Sequence, residues 1–166
     1  MSVVRFSSIV IAAALALGTT QSAEAGTKVS KSGGVSIDVP DAWKVSGTDR
    51  LVGIADPDRH MGLLLFIVDK SDAEKVLTGI DKQLAKTATD IRWSKKTKPI
   101  KLNGMKGMSR DGSATMDGKE VLTTEMFLGP TGTGKAIVAF AGADPGWLKS
   151  HGAELLATFK SIKPVE

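Results

Sequence analysis

The stretch from Gly129 to Lys135, GPTGTGK, matches the G-x-x-x-x-G-K part of a phosphate-binding loop. In that loop, backbone N–H groups and the lysine hold nucleotide phosphates, and a Ser or Thr after the lysine binds Mg²⁺. Here Ala136 stands at that position. Residues 137–140 are apolar and begin with two β-branched residues, which predicts a strand where the motif requires a helix. We therefore interpret 129–135 as a hairpin turn.

Two other groups of residues carry atoms that bind metals. Asp56, Asp58 and His60 alternate in one short segment and offer carboxylate and imidazole ligands. Methionine thioethers bind Cu(I), and the methionines of interest are Met61, Met105, Met108, Met116 and Met126. Each group also has an ordinary structural explanation, because Asp-Pro is typical of turns and methionine fills gaps in cores. The sequence favours these structural explanations but leaves both metal-binding hypotheses open. We assign no cofactor.

Conventional catalytic groups are scarce. Ser150, His151 and Glu154 lie close together, but adjacent residues of a helix do not face each other, so we expect Ser150 and His151 to be solvated surface. Neither G-x-S-x-G nor H-E-x-x-H occurs. The chain has no cysteine, which excludes disulfides, thiol catalysis and thiolate metal sites. We expect a protein that is not an enzyme.

A basic segment is the best candidate for an interaction surface. Its residues are Arg92, Lys95, Lys96, Lys98 and Lys101, with Lys106 and Arg110 beyond them. No acidic residue interrupts this segment, and the whole chain carries a net charge of +4. Several of these charges can share one face and bind an acidic protein or an anionic envelope surface, whereas nucleic acid is not expected. The alternative is that lysines on an edge strand merely prevent aggregation. The sequence leaves the oligomeric state open.

The first 25 residues are typical of a secretory signal peptide. Arg5 precedes an apolar run over residues 9–17, and Ala23-Glu24-Ala25 has the small-x-small pattern of a cleavage site. The apolar run is too short for a membrane-spanning helix, which needs about 20 residues. We therefore expect a periplasmic or secreted protein with no transmembrane segment after cleavage. Residues 26–33 are expected to be a flexible lead-in, and 34–164 a single domain.

The spacing of apolar residues predicts the strands and the two helices on which these candidate residues lie. Apolar runs predict strands over 34–39, 51–55, 61–68, 91–95, 105–115, 121–128 and 136–143. Apolar residues at helical spacing predict a helix from about Asp72 to Thr87, begun by a Ser71–Glu74 capping box. A second helix is predicted to begin after Asp144, with Pro145 at its first position.

Tight turns indicate how the strands are joined. Asn103-Gly104 and Asp117-Gly118 are strong hairpin signals, because these residues tolerate positive φ. Successive hairpins favour an antiparallel sheet. The expected fold is α+β, with an antiparallel sheet of about six or seven strands flanked by two main helices.

Two segments resemble the PsbP-like superfamily, which includes exported DcrB-type relatives. They are VSIDVPDAW over 35–43 and LLATFKSI over 155–162. The resemblance implies the same α+β fold, with Trp43 as a packing residue. It brings no shared catalytic residues, and members of the superfamily are mostly accessory or assembly proteins. The function expected is thus a non-enzymatic exported accessory, binding or assembly domain. The alternative is a small exported enzyme, or a metal- or ligand-binding protein, with a site near 56–60.

Overall fold

A computed structural model of the chain describes residues 26–30 and 32–165. The expected signal peptide, residues 1–25, lies outside this part. Strands β1 to β5 span Gly26–Ser30, Val35–Val39, Lys44–Gly47, Leu51–Ala55 and Met61–Val68. A short 3₁₀ turn, Lys70–Asp72, leads into helix α1, Ala73–Thr87. Strands β6 to β10 span Thr89–Trp93, Lys98–Leu102, Met105–Met116, Lys119–Gly129 and Ala136–Ala143. Helix α2, Pro145–Ser161, and strand β11, Lys163–Pro164, follow.

The main sheet is antiparallel and has eight strands. Its order is β3-β4-β5-β10-β9-β8-β6, and β7 also pairs with β8. The predicted α+β class with an antiparallel sheet and two main helices is confirmed. A smaller sheet has the order β1-β2-β11. It includes residues 26–30, which pair with β2, so five of the eight residues of the expected flexible lead-in form a strand in the structure.

The main sheet packs on both faces. One face, with strand β2 and helix α2, forms the larger core, to which Ile37, Leu63 and Ile137 contribute. The opposite face receives α1, where Leu84 packs against Phe140 of β10. The eight residues of β10 are therefore all buried, which explains why this strand is a continuous apolar run rather than an alternating one.

The two helices begin differently, and one prediction about them was wrong. Asp144 caps α2, since its carboxylate accepts the N–H groups of Gly146 at 2.7 Å and Trp147 at 3.1 Å. Pro145 occupies the first position as predicted. The capping box predicted for α1 at Ser71 does not form. The 3₁₀ turn takes Ser71 into helical structure, and Asp72 becomes the N-cap residue with no side-chain cap bond.

The two predicted tight turns are present. Asn103 and Asp117 have φ of 46° and 49°, and the glycines after them have φ of 88° and 75°. Positive φ at both central residues is the requirement of the hairpin turn whose twist matches the flanking strands. These turns fix the register of β7 with β8 and of β8 with β9.

Trp43 is buried, as the resemblance implied. Only 5 % of its surface is exposed, and its ring centroid lies 5.9 Å from that of Trp147. The contact joins the chain between β2 and β3 to the first turn of α2.

We expect Trp43→Ala to lower the free energy of unfolding by about 3–5 kcal/mol, because it leaves a large cavity under α2. Urea denaturation of the two proteins measures this loss. Trp43→Phe, which keeps an aromatic ring in the site, should lose clearly less. A Trp43→Ala midpoint equal to that of the unsubstituted protein would contradict the packing role.

Candidate functional site

The basic segment lies along one edge of the main sheet. Strands β6 and β7 both pair with β8, one after the other, so residues 89–102 form a single sheet edge. Five exposed basic side chains follow this edge, and we call them the basic edge: Arg92, Lys95, Lys96, Lys98 and Lys101. The structure thus brings all five residues of the predicted patch together on adjacent elements.

The five side chains of the basic edge do not share one face of the sheet. Paired residues on neighbouring strands point to the same side, and Arg92 and Lys98 are opposite Ser113 and Ser109 of β8. Lys101 is opposite Lys106, which is an even-numbered position of β8 and so points to the other side. Lys95 and Lys96 lie in the connection between β6 and β7. The charges therefore surround the edge instead of forming a flat patch.

Most of the basic edge has no internal counter-charge. Lys98 donates to Asp111 at 2.6 Å, and the Lys98 ammonium, by this hydrogen bond, holds the pKa of Asp111 below its usual range. Among the residues that the structure describes, the other four basic side chains make no ion pair. Their charges are available to a partner.

A partly buried polar cluster lies next to the basic edge, on the face that carries α1. The Arg110 guanidinium donates to Glu125 Oε2 at 2.6 Å and lies 3.7 Å from Asp81 Oδ1. Its Cζ atom is also 4.3 Å from the ring centroid of Trp93. Arg110 was noted in the sequence only as the end of the basic segment. The sequence analysis missed its partner Glu125, although the predicted two-residue turn at Asp117-Gly118 places Glu125 directly opposite Arg110.

Glu125 is the buried member of this cluster. Only 6 % of its side chain is exposed, and burial raises its pKa above the ordinary 4.5, although the hydrogen bond from Arg110 acts in the opposite direction. Its Oε1 atom and Oδ1 of Asp81 are buried without a hydrogen-bond donor. The Asp81 carboxylate on the same guanidinium also raises the pKa of Glu125.

The 56–60 segment borders a cleft of about 600 Å³. The rest of its wall comes from Trp43 and from the first three turns of α2, including Trp147, His151 and Glu154. The Trp147 and His151 rings stack with centroids 5.0 Å apart. This cleft is where the alternative prediction, a ligand site near 56–60, falls in the fold.

The geometry of the cleft does not support the metal hypothesis. Asp56 is 3 % exposed and its Oδ1 accepts the N–H of Met61 at 2.7 Å, so it closes the β4–β5 turn. Among the described residues no three His, Cys, Asp or Glu side chains are grouped as metal ligands.

Ser150 and His151 are closer than the sequence indicated. The Ser150 Oγ atom lies 2.9 Å from His151 Nδ1, so the expectation that adjacent helical residues cannot meet was wrong here. Ser150 Oγ also donates to the Trp147 carbonyl at 3.1 Å. The direction of the Ser150–His151 hydrogen bond depends on the tautomer of His151. Both residues are exposed, as predicted.

The structure separates the methionines. Met61 and Met105 are buried in the larger core, against which Met126 packs. Met116 packs in the smaller core under α1, and Met108 is 41 % exposed. The thioethers are therefore distributed over both faces of the sheet and do not form one copper-binding group.

The GPTGTGK stretch is a hairpin connection, as predicted. It joins β9 to β10, and Ala136 begins a strand rather than the helix that a phosphate-binding loop requires. Thr131 and Lys135 close the turn, with the Thr131 N–H donating to the Lys135 carbonyl at 2.8 Å. The Lys135 ammonium binds Asp69 at 2.7 Å.

Comparisons with known proteins identify the fold. No protein-family model and no curated protein matches the chain. Among solved structures, LpqN, described as involved in cell envelope biogenesis of Mycobacterium tuberculosis, is similar with a TM-score of 0.57 and 17% identity, over 94% of this chain and 97% of LpqN. Cyanobacterial PsbP (CyanoP) from Synechocystis sp. PCC 6803 is similar with a TM-score of 0.57 and 10% identity, over 89% of this chain and 96% of that one.

A third similar structure is a protein of unknown function, PA94 from Pseudomonas aeruginosa, described as a putative regulator. Its TM-score is 0.50 and its identity 13%, over 87% of this chain and 99% of that one. At these identities the similarities show the fold, which is PsbP-like as the sequence predicted. Neither described helix is long and apolar enough to cross a membrane.

We expect Glu125 to make the protein less stable as the pH rises. Its pKa is raised in the folded chain, so its contribution to stability is fully present below pH 4.5 and is lost as the pH rises through the higher pKa of the folded state. Urea denaturation at acidic and neutral pH compares the protein with Glu125→Gln. The variant should gain stability relative to the unsubstituted protein as the pH increases.

Glu120→Gln is the matched control, because Glu120 is an exposed acid on the same strand. The difference in free energy of unfolding between Glu120→Gln and the unsubstituted protein should not change with pH as it does for Glu125→Gln. If the Glu125→Gln difference is constant across the pH range, the pKa of Glu125 is the same in the folded and unfolded chains and the prediction is wrong.

Proposed function

We propose that this protein is an exported, non-enzymatic accessory domain that binds an acidic partner protein through the basic edge. The observation that carries the proposal is the continuity of that edge: five exposed basic side chains follow β6, its connection and β7 without an acidic residue among them. Opposite charge on a partner would speed encounter and fix orientation.

The distribution of the charges favours a protein over a flat anionic surface. Arg92 and Lys98 lie on one side of the sheet and Lys101 on the other, with Lys95 and Lys96 between them. A flat surface can reach only one side of such an edge at a time. A partner that partly surrounds the edge can contact both.

The proposal of an accessory role in the envelope agrees with the described similarities. LpqN is described as involved in cell envelope biogenesis, and the other PsbP-like proteins to which the chain is similar are not described as enzymes. Export is the remaining part of the proposal and rests on residues 1–25.

A second candidate function is the binding of a small ligand in the cleft beside 56–60. It is favoured by one observation: Trp43, Trp147 and His151 line a concavity of about 600 Å³, a volume within the range of small-molecule sites. Binding there would not depend on the basic edge, so the two functions separate by mutation.

We expect signal peptidase to cut after Ala25, because the Ala-x-Ala pattern ends there. N-terminal sequencing of the protein recovered outside the cytoplasm should read from Gly26. An intact Met1 in that fraction would contradict export by cleavage, while leaving the basic edge untouched.

The basic edge should bind an acidic peptide in a salt-dependent manner. The probe is a fluorescent peptide, Glu-Asp-Glu-Ser-Ser-Glu-Asp-Glu, and anisotropy gives its affinity over a salt series. Exposed charges are screened within about 8 Å at physiological salt, so affinity should fall as salt rises. The combined variant Lys95→Gln, Lys96→Gln, Lys101→Gln should bind at least about fivefold more weakly at low salt, with a shallower salt dependence.

The matched control removes three exposed lysines elsewhere: Lys149→Gln, Lys160→Gln and Lys163→Gln, which lie on α2 and β11. Lys98 is kept in both variants because it already neutralises Asp111. Equal weakening in the two variants would mean that only net charge matters, and the basic edge would then be a solubilising surface.

A further inference from the structure

An apolar groove of about 270 Å³ opens beside the basic edge. Leu77 of α1 forms one wall, and Met108 of β8 with Phe127 of β9 forms the other. Thr97, from the β6–β7 connection, lies at one end. The side chain of Met108 is 41 % exposed, which is unusual for a large apolar residue facing a neighbouring helix.

The groove exists because α1 covers only part of its face of the sheet. Met108 pairs with Phe127, and Phe127 pairs with Val138 of the central strand β10, so the three side chains point to the same face. Near β10 this face is closed by α1 through Leu84 and Phe140. Further out, on β8 and β9, apolar side chains continue beyond the helix.

The charged side chains in the floor of the groove are already paired with each other. Arg110 and Glu125 both line it and bind each other at 2.6 Å. An occupant is therefore selected by apolar contact with Leu77, Met108 and Phe127, and not by an ion pair inside the groove.

The surroundings of the groove are basic. Thr97 directly follows Lys96, an exposed member of the basic edge. Lys101 of β7 is opposite Lys106 of β8, and both side chains lie on the same face as Met108. An apolar groove bordered by positive charge complements a chain segment that combines an apolar side chain with acidic neighbours.

We propose that this groove is the anchor site for the acidic partner: an apolar side chain of the partner inserts between Leu77, Met108 and Phe127 while acidic residues around it contact the basic edge. The proposal rests on the proposed function and adds the chemistry of the partner segment. A second copy of this chain is a poor occupant, because its own basic edge would be repelled. Residues 1–25 are a poor occupant as well, since Glu24 is their only acid.

Two matched peptides test the anchor. One is the acidic peptide used above, Glu-Asp-Glu-Ser-Ser-Glu-Asp-Glu, and the other has Leu-Phe in place of Ser-Ser. Burying a large apolar side chain stabilises binding by about 1.5–3 kcal/mol, so the Leu-Phe peptide should bind the full mature chain about tenfold or more tightly. The Met108→Gln variant should lose most of this preference while binding the Ser-Ser peptide as before.

Leu156→Gln is the matched control, because Leu156 is an apolar residue of α2 that is 52 % exposed. It should keep the full preference for the Leu-Phe peptide. Thermal melts of both variants should coincide with that of the unsubstituted protein, since both substitutions are on the surface.

The remaining outcomes separate this inference from the proposed function. Salt-dependent binding of both peptides with equal affinity would overturn the anchor site and leave the basic edge standing, whereas no binding of either would overturn both. Vesicles containing phosphatidylglycerol that bind in a Met108-dependent manner, without peptide preference, would replace the protein partner by a lipid surface. A Met108-dependent dimer in sedimentation would make a second copy the occupant.

Discussion

The burial of strand β10 on both faces is the constraint on which the rest of the structure depends. Its eight residues are all buried, and it pairs with β5 on one side and β9 on the other. A strand in this position must present small or closely packed side chains in both directions. Ala139 and Ala141 do so toward α2 and the smaller sheet, and Phe140 does so toward α1. The two helices lie on opposite faces because this strand needs cover on both.

The candidate binding surface follows from the length of β8. At twelve residues, Met105–Met116 is long enough to pair with two strands in succession. The connection between β6 and β7 is therefore held at the margin of the sheet, where its lysines are exposed. Because α1 packs near the centre of the sheet, the same long strand extends past the helix and leaves Met108 partly uncovered. The basic edge and the apolar groove are therefore neighbours, because both result from the length of β8.

The sequence was sufficient for the fold wherever a local pattern specified the element. The apolar run of β10, the Asn103-Gly104 turn and the Asp144-Pro145 helix start are such cases, because each depends on residues adjacent in the chain. Strand β3, Lys44–Gly47, was not predicted, since four mixed residues show no period. The bounds of α1 were predicted to within one residue, but its cap was assigned wrongly because a 3₁₀ turn at Lys70–Asp72 displaces the cap, and nothing in the S-x-x-E pattern excludes that turn.

For the candidate site, the sequence predicted the basic segment but not how its side chains are arranged on the sheet. The basic residues are evident from composition, but their division between two faces depends on the register of β6 and β7 with β8. The Asn103-Gly104 turn sets the register of β7, whereas the register of β6 depends on pairing between residues distant in the chain. The Arg110–Glu125 pair follows from the Asp117-Gly118 turn, whereas the approach of Asp81 to Arg110 depends on where α1 packs on the sheet. The Ser150–His151 contact depends on side-chain rotamers, which a helical period does not specify.

The smaller sheet has a mechanical consequence for the domain. Strand β2 is paired on one side with β1, where Gly26 is opposite Val39, and on the other with β11, where Pro164 is opposite Val35. A pull applied through residues 26 and 165 thus acts at opposite ends of β2 and runs along the strands. Such a load shears several backbone hydrogen bonds at once instead of opening them in sequence. The two-residue strand β11 would give way first, with the main sheet outside the line of force.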